Sequence, residues 1–317
     1  MNTTTIKQTA AFTARNIKLF FKDKGAFIGA MIAPLILFVL YILFLHSVLK
    51  ESFAANLPEG FTLSEKLING YIAAYEVSSV LATSCITVAF VANMNMVSDR
   101  ITGARTDLTV APVKTRVLVL GYYFATAAVT LIVCFTAAAI GFIYIAAMGW
   151  SITVADGFMI ILDTVLGVLF GTALSSIVCF FLKSNGAISA VSTAVSAVYG
   201  FISGAYYPIA QFSSGMANTV MCFPWTYCTG LLRTHFMSGY GPSFVAAGVP
   251  SDVTDGLLKG LDAQMYFFGN AVPTWAMYVV VICSVLVLVG IFVALNVFRR
   301  KHKNKIKTPS APVATAE

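Results

Sequence analysis

Apolar positions along the chain come in runs long enough to leave water altogether. A helix rising about 1.5 Å per residue needs about 20 apolar residues to cross the roughly 30 Å of bilayer hydrocarbon. Six stretches reach that length: Phe27 to Leu49, Tyr71 to Val97, Val117 to Gly149, Phe158 to Leu182, Ala187 to Ile209, and Thr274 to Phe298. The third is the longest and predicts an interfacial turn near Trp150. Barrel strands need short alternating segments, which these runs do not contain. The expected fold is therefore an all-α integral membrane protein with six transmembrane helices, its membrane domain spanning residues 27–298.

Outside the runs the pattern changes character. Residues 1–26 place Ile6, Ala10, Ile17, Phe20 and Phe21 on an apolar side, with Lys7, Arg15, Lys18 and Lys22 free to reach lipid head groups. That pattern predicts an amphipathic helix lying in the membrane interface; an ordinary basic membrane flank is the plainer alternative. The region 210–273 is too long for a simple loop and too apolar for a disordered one. Its first half carries Phe223, Pro224, Trp225 and Tyr227 and predicts short re-entrant or interfacial helices, because such aromatics favour the membrane interface. Its second half, Ser238 to Asp262, is rich in Gly and Asp and predicts an exposed cap.

Composition fits this picture: 58% of the 317 residues are hydrophobic and only 10% are charged, against about 25% in a typical soluble domain. The net charge of +7 would suggest nucleic acid in a soluble protein. Here Arg299, Arg300, Lys301, Lys303, Lys305 and Lys307 follow directly on the last apolar run, which points to a membrane surface and lipids instead. Assigning the connecting segments alternately to two sides puts sixteen of the twenty Lys and Arg on one side and only Lys50, Lys66, Arg233 and Lys259 on the other. By the positive-inside rule both termini are cytoplasmic, in a multi-pass plasma-membrane protein whose basic tail is 299–317.

Candidate chemistry is sparse. No G-x-x-x-x-G-K-[ST] stretch occurs, so nothing predicts a phosphate cradle, and no cofactor or metal spacing is visible. His46, His235 and His302 are scattered and read as interfacial residues. Glu76 and Asp163 lie inside apolar runs, where charge is expensive and often functional, although both sit near the outer interface. Ser189, Ser192, Ser196, Gly200 and Ser203 recur at steps of three and four along the fifth run, giving one small, hydroxyl-bearing face that suits either helix packing or a transport pathway. Cys222 and Cys228 share the outer segment, where a disulfide is an option; the other four cysteines lie in apolar runs.

The cytoplasmic loop 98–116 is the most informative stretch. Asp99, Arg100, Arg105 and Asp107 are mixed in sign, Leu108 and Val110 are apolar, and Pro112 stops the helix. A short amphipathic helix of that kind suits docking into another protein's groove, and a solvated loop is the alternative. Gly103, the apolar pair that follows it, Ala111-Pro112-Val113 and Arg116 together resemble the loop of ABC transporter type-2 permeases. Gly204-Ala-Tyr-Tyr-Pro208, with Tyr207, then Phe223-Pro224-Trp-Thr-Tyr227 and Leu231-Leu232-Arg233, resemble the outer region of the same family. Where that family carries Glu at the start of its loop motif and again after the Gly, this chain has Asp99 or Arg100 and Asp107.

The resemblance implies the permease subunit of an exporter, without ATPase activity of its own. ATP and Mg would be bound by a cytoplasmic ABC ATPase subunit, and a second permease copy or a homologue would complete a dimer. Residues 98–116 would form the coupling helix, residues 1–26 the connecting helix, and the serine face part of the dimer seam or pathway. An apolar route suits a drug-like compound, a lipid or a small peptide. The competing classes are an ion-coupled secondary transporter or channel, which needs charges at depth, and a membrane enzyme, which needs clustered acids and histidines at one face.

Overall fold

The computed structural model describes residues 3–55, 57, 63–104 and 114–306. Helix α1 (Thr3–Lys22) turns Thr9, Phe12, Asn16 and Phe20 inward, a stripe at steps of three and four. Ile6, Ala10 and Phe21, expected on the apolar side, stay exposed. The helix thus has two apolar faces, one packed on the protein and one left for lipid. Its inner face meets the long helix α6 (Thr115–Met148) where Gly121 has no side chain, so that the Phe12 ring closes to within 2.4 Å of the position a Cβ would take. Asp23 ends α1 and caps the next helix by accepting from the Ala26 amide at 3.0 Å.

The first predicted span is helical throughout but irregular: α2 (Lys24–Leu40), a π turn (Tyr41–Leu45) and α3 (His46–Ala55) run on without a gap. Pro34 lies inside α2. A π turn inserts an extra residue into the helical ladder and re-aims the side chains beside it. Here it brings Tyr41 and His46 to the bundle interior.

At the centre stands α4 (Glu65–Ala92), begun by the Ser64 cap and buried on nearly every side. A helix buried all round must satisfy its own polar groups. Accordingly Ser78, Thr83 and Ser84 return their hydroxyls to the carbonyls of Tyr75, Ser79 and Val80 at 2.7 to 2.8 Å. After Asn93 the direction continues as α5 (Met94–Ile101). Around this axis pack α2, α6, α7 (Val154–Phe181) and α8 (Asn185–Ile202). Thr153 and Asp156 form a capping box at the start of α7.

Among the described residues five helices are long and apolar enough to cross a membrane: Lys24–Ala55, Glu65–Ile101, Arg116–Met148, Val154–Phe181 and Thr274–Phe298. The fifth predicted run behaves differently. Helix α8 has 18 residues, about 27 Å at the usual rise, and stops at Ile202. The chain then turns at Gly204 (φ +74°), so the expected span to Ile209 is interrupted.

Between α8 and α13 (Thr274–Ile306) lies a folded unit of short helices and a ribbon. It comprises a 3-10 turn (Ile209–Gln211), α9 (Ser214–Met221), α10 (Pro224–Met237), α11 (Tyr240–Ala246), α12 (Ser251–Gly260) and a ribbon of β1 (Tyr266–Phe267) with β2 (Asn270–Ala271). Pro224 occupies the first turn of α10, where its missing amide hydrogen costs nothing. The ribbon pairs Tyr266 with Ala271 and Phe267 with Asn270 across a two-residue turn at Phe268 and Gly269, both at positive φ. The region expected to be a Gly- and Asp-rich cap is therefore helical, with Tyr240, Phe244 and Leu257 buried against the bundle.

Candidate functional site

At the end of α5, Asp99 is 8% exposed and its Oδ2 takes two bonds, from Arg15 Nη1 at 3.0 Å and from the Tyr122 hydroxyl at 2.6 Å. Arg15 also contacts Asn16 Oδ1 at 3.0 Å and lies 5.6 Å from the Phe12 ring centre. One carboxylate thus joins α1, α5 and α6. Arg100 Nη1 donates to the carbonyls of Cys179 and Phe180 at 3.2 and 2.9 Å, a cation at the negative end of α7. One turn deeper, Asn93 donates to Ser175 at 2.6 Å and Ser176 at 3.2 Å and accepts from Thr126 at 3.1 Å. Gly103 takes a left-handed φ of +82° just after α5. Arg105, Asp107, Leu108 and Pro112 lie outside the described residues.

The face of α8 is divided. Ser189 is exposed, Ser192 and Ser203 are buried, and Ser196 is half-buried, donating to the Ser192 carbonyl at 2.7 Å. Gly200 leaves room for Tyr206 of the same chain, whose ring would stand 2.2 Å from an added Cβ. The upper part of this face is therefore already covered from within.

Around the turn after α8 the structure brings together two stretches that sequence reasoning had only set side by side. The Arg233 guanidinium is fully buried. Its Nη1 reaches Asp262 Oδ2 at 2.8 Å, and its Nη2 donates to Ser79 Oγ at 3.0 Å and to the Gly204 carbonyl at 2.8 Å. The guanidinium carbon lies 4.4 Å from the Tyr75 ring centre, close enough for a cation–π contact. Asp262, at φ +55°, accepts from the amides of Ile209 at 2.6 Å and Ala210 at 2.8 Å. Burial raises the Asp262 carboxyl above its ordinary range, and the Arg233 charge and the two amides pull against that rise. Tyr75 donates to the Gly204 carbonyl at 3.1 Å, and Tyr41 donates to the Ala205 carbonyl. The turn after α8 is thereby fastened to α4, α10 and the π turn at once. Pro208 is buried beside it, while Tyr207 is about half exposed and stacks on Phe212 at 6.0 Å. Tyr227 is buried in α10. Cys222 and Cys228 are both free thiols.

Two further constellations were missed by reading the histidines one at a time. Glu76 is fully buried, with His46 Nδ1 at 3.1 Å and the Tyr144 hydroxyl at 3.0 Å. Asp163, 1% exposed, has His235 Nδ1 and the Tyr278 hydroxyl each at 2.6 Å. In both, one carboxylate is shared by a histidine and a tyrosine from two other helices. Although expected near a membrane interface, both acids are sealed from solvent, and burial is tolerated because both oxygens are engaged. The readable signal was the pair of intramembrane acids; their partners are remote in sequence. Among the described residues no group of three His, Cys, Asp or Glu gathers as a metal site.

Residues 7–237 match the family described as ABC-2 type transporter. No curated protein matches the chain.

Proposed function

This chain belongs to the ABC-2 type transporter family, a permease-type membrane domain rather than an ATPase, and from that premise we propose that it is the membrane subunit of an ATP-driven exporter. A separate cytoplasmic ABC ATPase subunit hydrolyses ATP with Mg, and a second permease copy or a homologue completes the pathway. Both termini face the cytoplasm, six segments including α8 traverse the plasma membrane, and the cargo is hydrophobic or amphipathic. The observation that carries the reading is the inner tie: Asp99 joins α1 to α5 and α6 directly before the loop proposed to dock on the ATPase. A push on that loop reaches α1, α6 and, through Arg100, α7. Residues 98–116 then act as the coupling segment, α1 as the connecting helix, and the Ser189 end of α8 as the part of its small-residue face left for a partner or pathway. Purifying the chain with a candidate ATPase subunit in lipid discs tests this. ATP turnover that rises when the permease is present supports it; failure to copurify, with turnover unchanged, sinks it.

An ion-coupled transporter is the second reading, favoured by the Glu76–His46 and Asp163–His235 pairs. It requires substrate movement driven by a proton gradient without any ATPase.

A further inference from the structure

On the side carrying the ribbon, a cleft of about 240 Å³ opens between the turn Ile209–Gln211, α9, the end of α12 and the strand β1. Ile209, Phe212, Met221 and Met265 give it an apolar floor. Lys259 stands at the rim with its ammonium 4.5 Å from the Tyr266 ring centre. It takes part in none of the five ion pairs among the described residues, so Asp255, one turn earlier on the same helix, does not neutralise it by direct contact. Asn218, also in the lining, accepts from the Phe268 amide through Oδ1 at 2.9 Å, and its NH2 group makes no bond among the described residues.

Asp262 is the lone carboxylate in the lining, and it is spoken for. Ile209 and Ala210 donate to it from the turn, and Arg233 balances its charge from below. What faces an incoming molecule among the described residues is therefore an unneutralised cation, the open Asn218 amide donor, the Ser214 hydroxyl and an apolar floor. A cation and a donor select an anionic head, and the floor selects an apolar body. The volume falls under the roughly 300–1,000 Å³ usual for drug-sized ligands, so the ligand is short. We propose that this cleft binds a small amphipathic anion, a carboxylate or phosphate head on a short apolar chain, with the head on Lys259 and Asn218. The same chemistry is offered by a free anion and by the head group of an anionic lipid. The sidedness proposed above decides which pool of anions reaches the cleft, not whether the cleft binds.

The test uses the full chain in phosphatidylcholine discs titrated calorimetrically with octanoate, with octanol as the uncharged control. Saturable octanoate binding is expected, weakened about tenfold or more by Lys259→Gln, the size of a lost charge-assisted hydrogen bond, and largely kept by Lys259→Arg. Ala217→Phe, which fills the cleft from α9, should abolish it. Lys259 is exposed, so its variants keep the fold even where Ala217→Phe does not. Phosphatidylglycerol discs separate the sources. A lipid head group competes octanoate away from the wild type but not from Lys259→Gln, whereas a free-anion site binds octanoate alike in both discs. Octanoate binding that ignores both Lys259→Gln and Ala217→Phe, or octanol binding as well as octanoate, overturns the assignment, as does the absence of saturable binding in both discs. None of these results touches ATP turnover with a partner subunit, so the permease reading stands or falls separately.

Discussion

Arg15 Nη1 lies 3.0 Å from Asp99 Oδ2, a contact across 84 residues of sequence that ties α1 to the end of α5. Arg15 is partly exposed and Asp99 mostly buried, with side-chain exposures of 38% and 12%. The pair should therefore be worth about 1 kcal/mol, the upper end for exposed ion pairs. Arg15→Ala should lower the stability of the detergent-purified chain by about that much. Asp99→Ala should cost more, since Tyr122 loses an acceptor in a buried setting. The double variant should destabilise less than the two effects added, because both remove one interaction. Strict additivity in thermal unfolding would mean that the two side chains do not interact.

The Arg233–Asp262 pair is a different case because both partners are sealed. Removing one partner leaves a buried charge without its counterion, a loss of about 3–5 kcal/mol. Arg233→Met and Asp262→Ala should each release the turn at Gly204 and strip folded protein from the membrane fraction. Lys50→Gln breaks an exposed pair with Glu65 and should change little, within about 0.5 kcal/mol. Comparable thermal stability for Arg233→Met and Lys50→Gln would show that the clamp carries no weight.

Close backbone contact makes a third prediction. A Cβ on Gly70 would fall 2.0 Å from the Gly149 carbonyl oxygen, and neither backbone is free to retreat without shifting α4 against the end of α6. Gly70→Ala should destabilise the chain by about 1–3 kcal/mol, the usual penalty of overpacking. Gly157→Ala meets open space and sits in the first turn of α7, so it should be neutral or slightly stabilising. Equal unfolding temperatures for the two variants would contradict the contact.

How far the sequence could be read follows from which forces act locally. Long apolar runs announce helices because length and hydropathy alone decide whether a segment belongs in lipid, and the helices at Lys24–Ala55, Glu65–Ile101 and Thr274–Phe298 contain the runs that predicted them. The fifth run misled because Gly204 is as apolar in composition as its neighbours, yet its positive φ turns the chain. Likewise the Ser196–Gly200 face reads as a seam between subunits, but Tyr206, six residues further on, folds back over Gly200. Gly200→Leu would therefore damage the chain's own packing and cannot report on a partner. Arg233 and Gly204 were both legible as resembling one family region. Their contact was not, since nothing in a sequence shows Asp262 arriving from the far end of α12. The His46–Glu76 and His235–Asp163 pairs escaped for the same reason: histidines judged singly carry no sign of the acid across the interface.

Sidedness is open to a direct experiment. Lys183 and Asp255 are both exposed, and the basic asymmetry assigns them to opposite sides. In a background without Cys222 and Cys283, a cysteine at Asp255 should react with an impermeant thiol reagent in intact cells, and one at Lys183 only after the membrane is opened. Labelling of Lys183→Cys from outside would invert the proposed orientation.

The proposed coupling loop needs a variant that separates docking from folding, and the geometry rules out the obvious one. Reversing Asp99 to Lys would place a second cation beside Arg15 and would disturb the α1–α5–α6 tie, so a loss of function there says nothing about a partner. Asp107 lies further along the stretch 98–116, clear of the apolar runs of the sequence, and a surface charge reversal typically changes stability by no more than about 0.5 kcal/mol. At an interface the same reversal forces like charges or unpaired polar groups together and weakens the complex. Asp107→Lys should thus insert at normal abundance and unfold at the wild-type temperature, while copurification with the ATPase subunit and stimulated ATP turnover fall about tenfold. Asp99→Asn serves as the comparator, because it keeps the size of the side chain and an oxygen for Tyr122 while removing the charge. It should lower thermal stability before it lowers copurification. If Asp107→Lys keeps full abundance, full copurification and full ATP turnover, the stretch 98–116 has no part in transmitting force from the ATPase, and the drive must enter the bundle through another cytoplasmic segment.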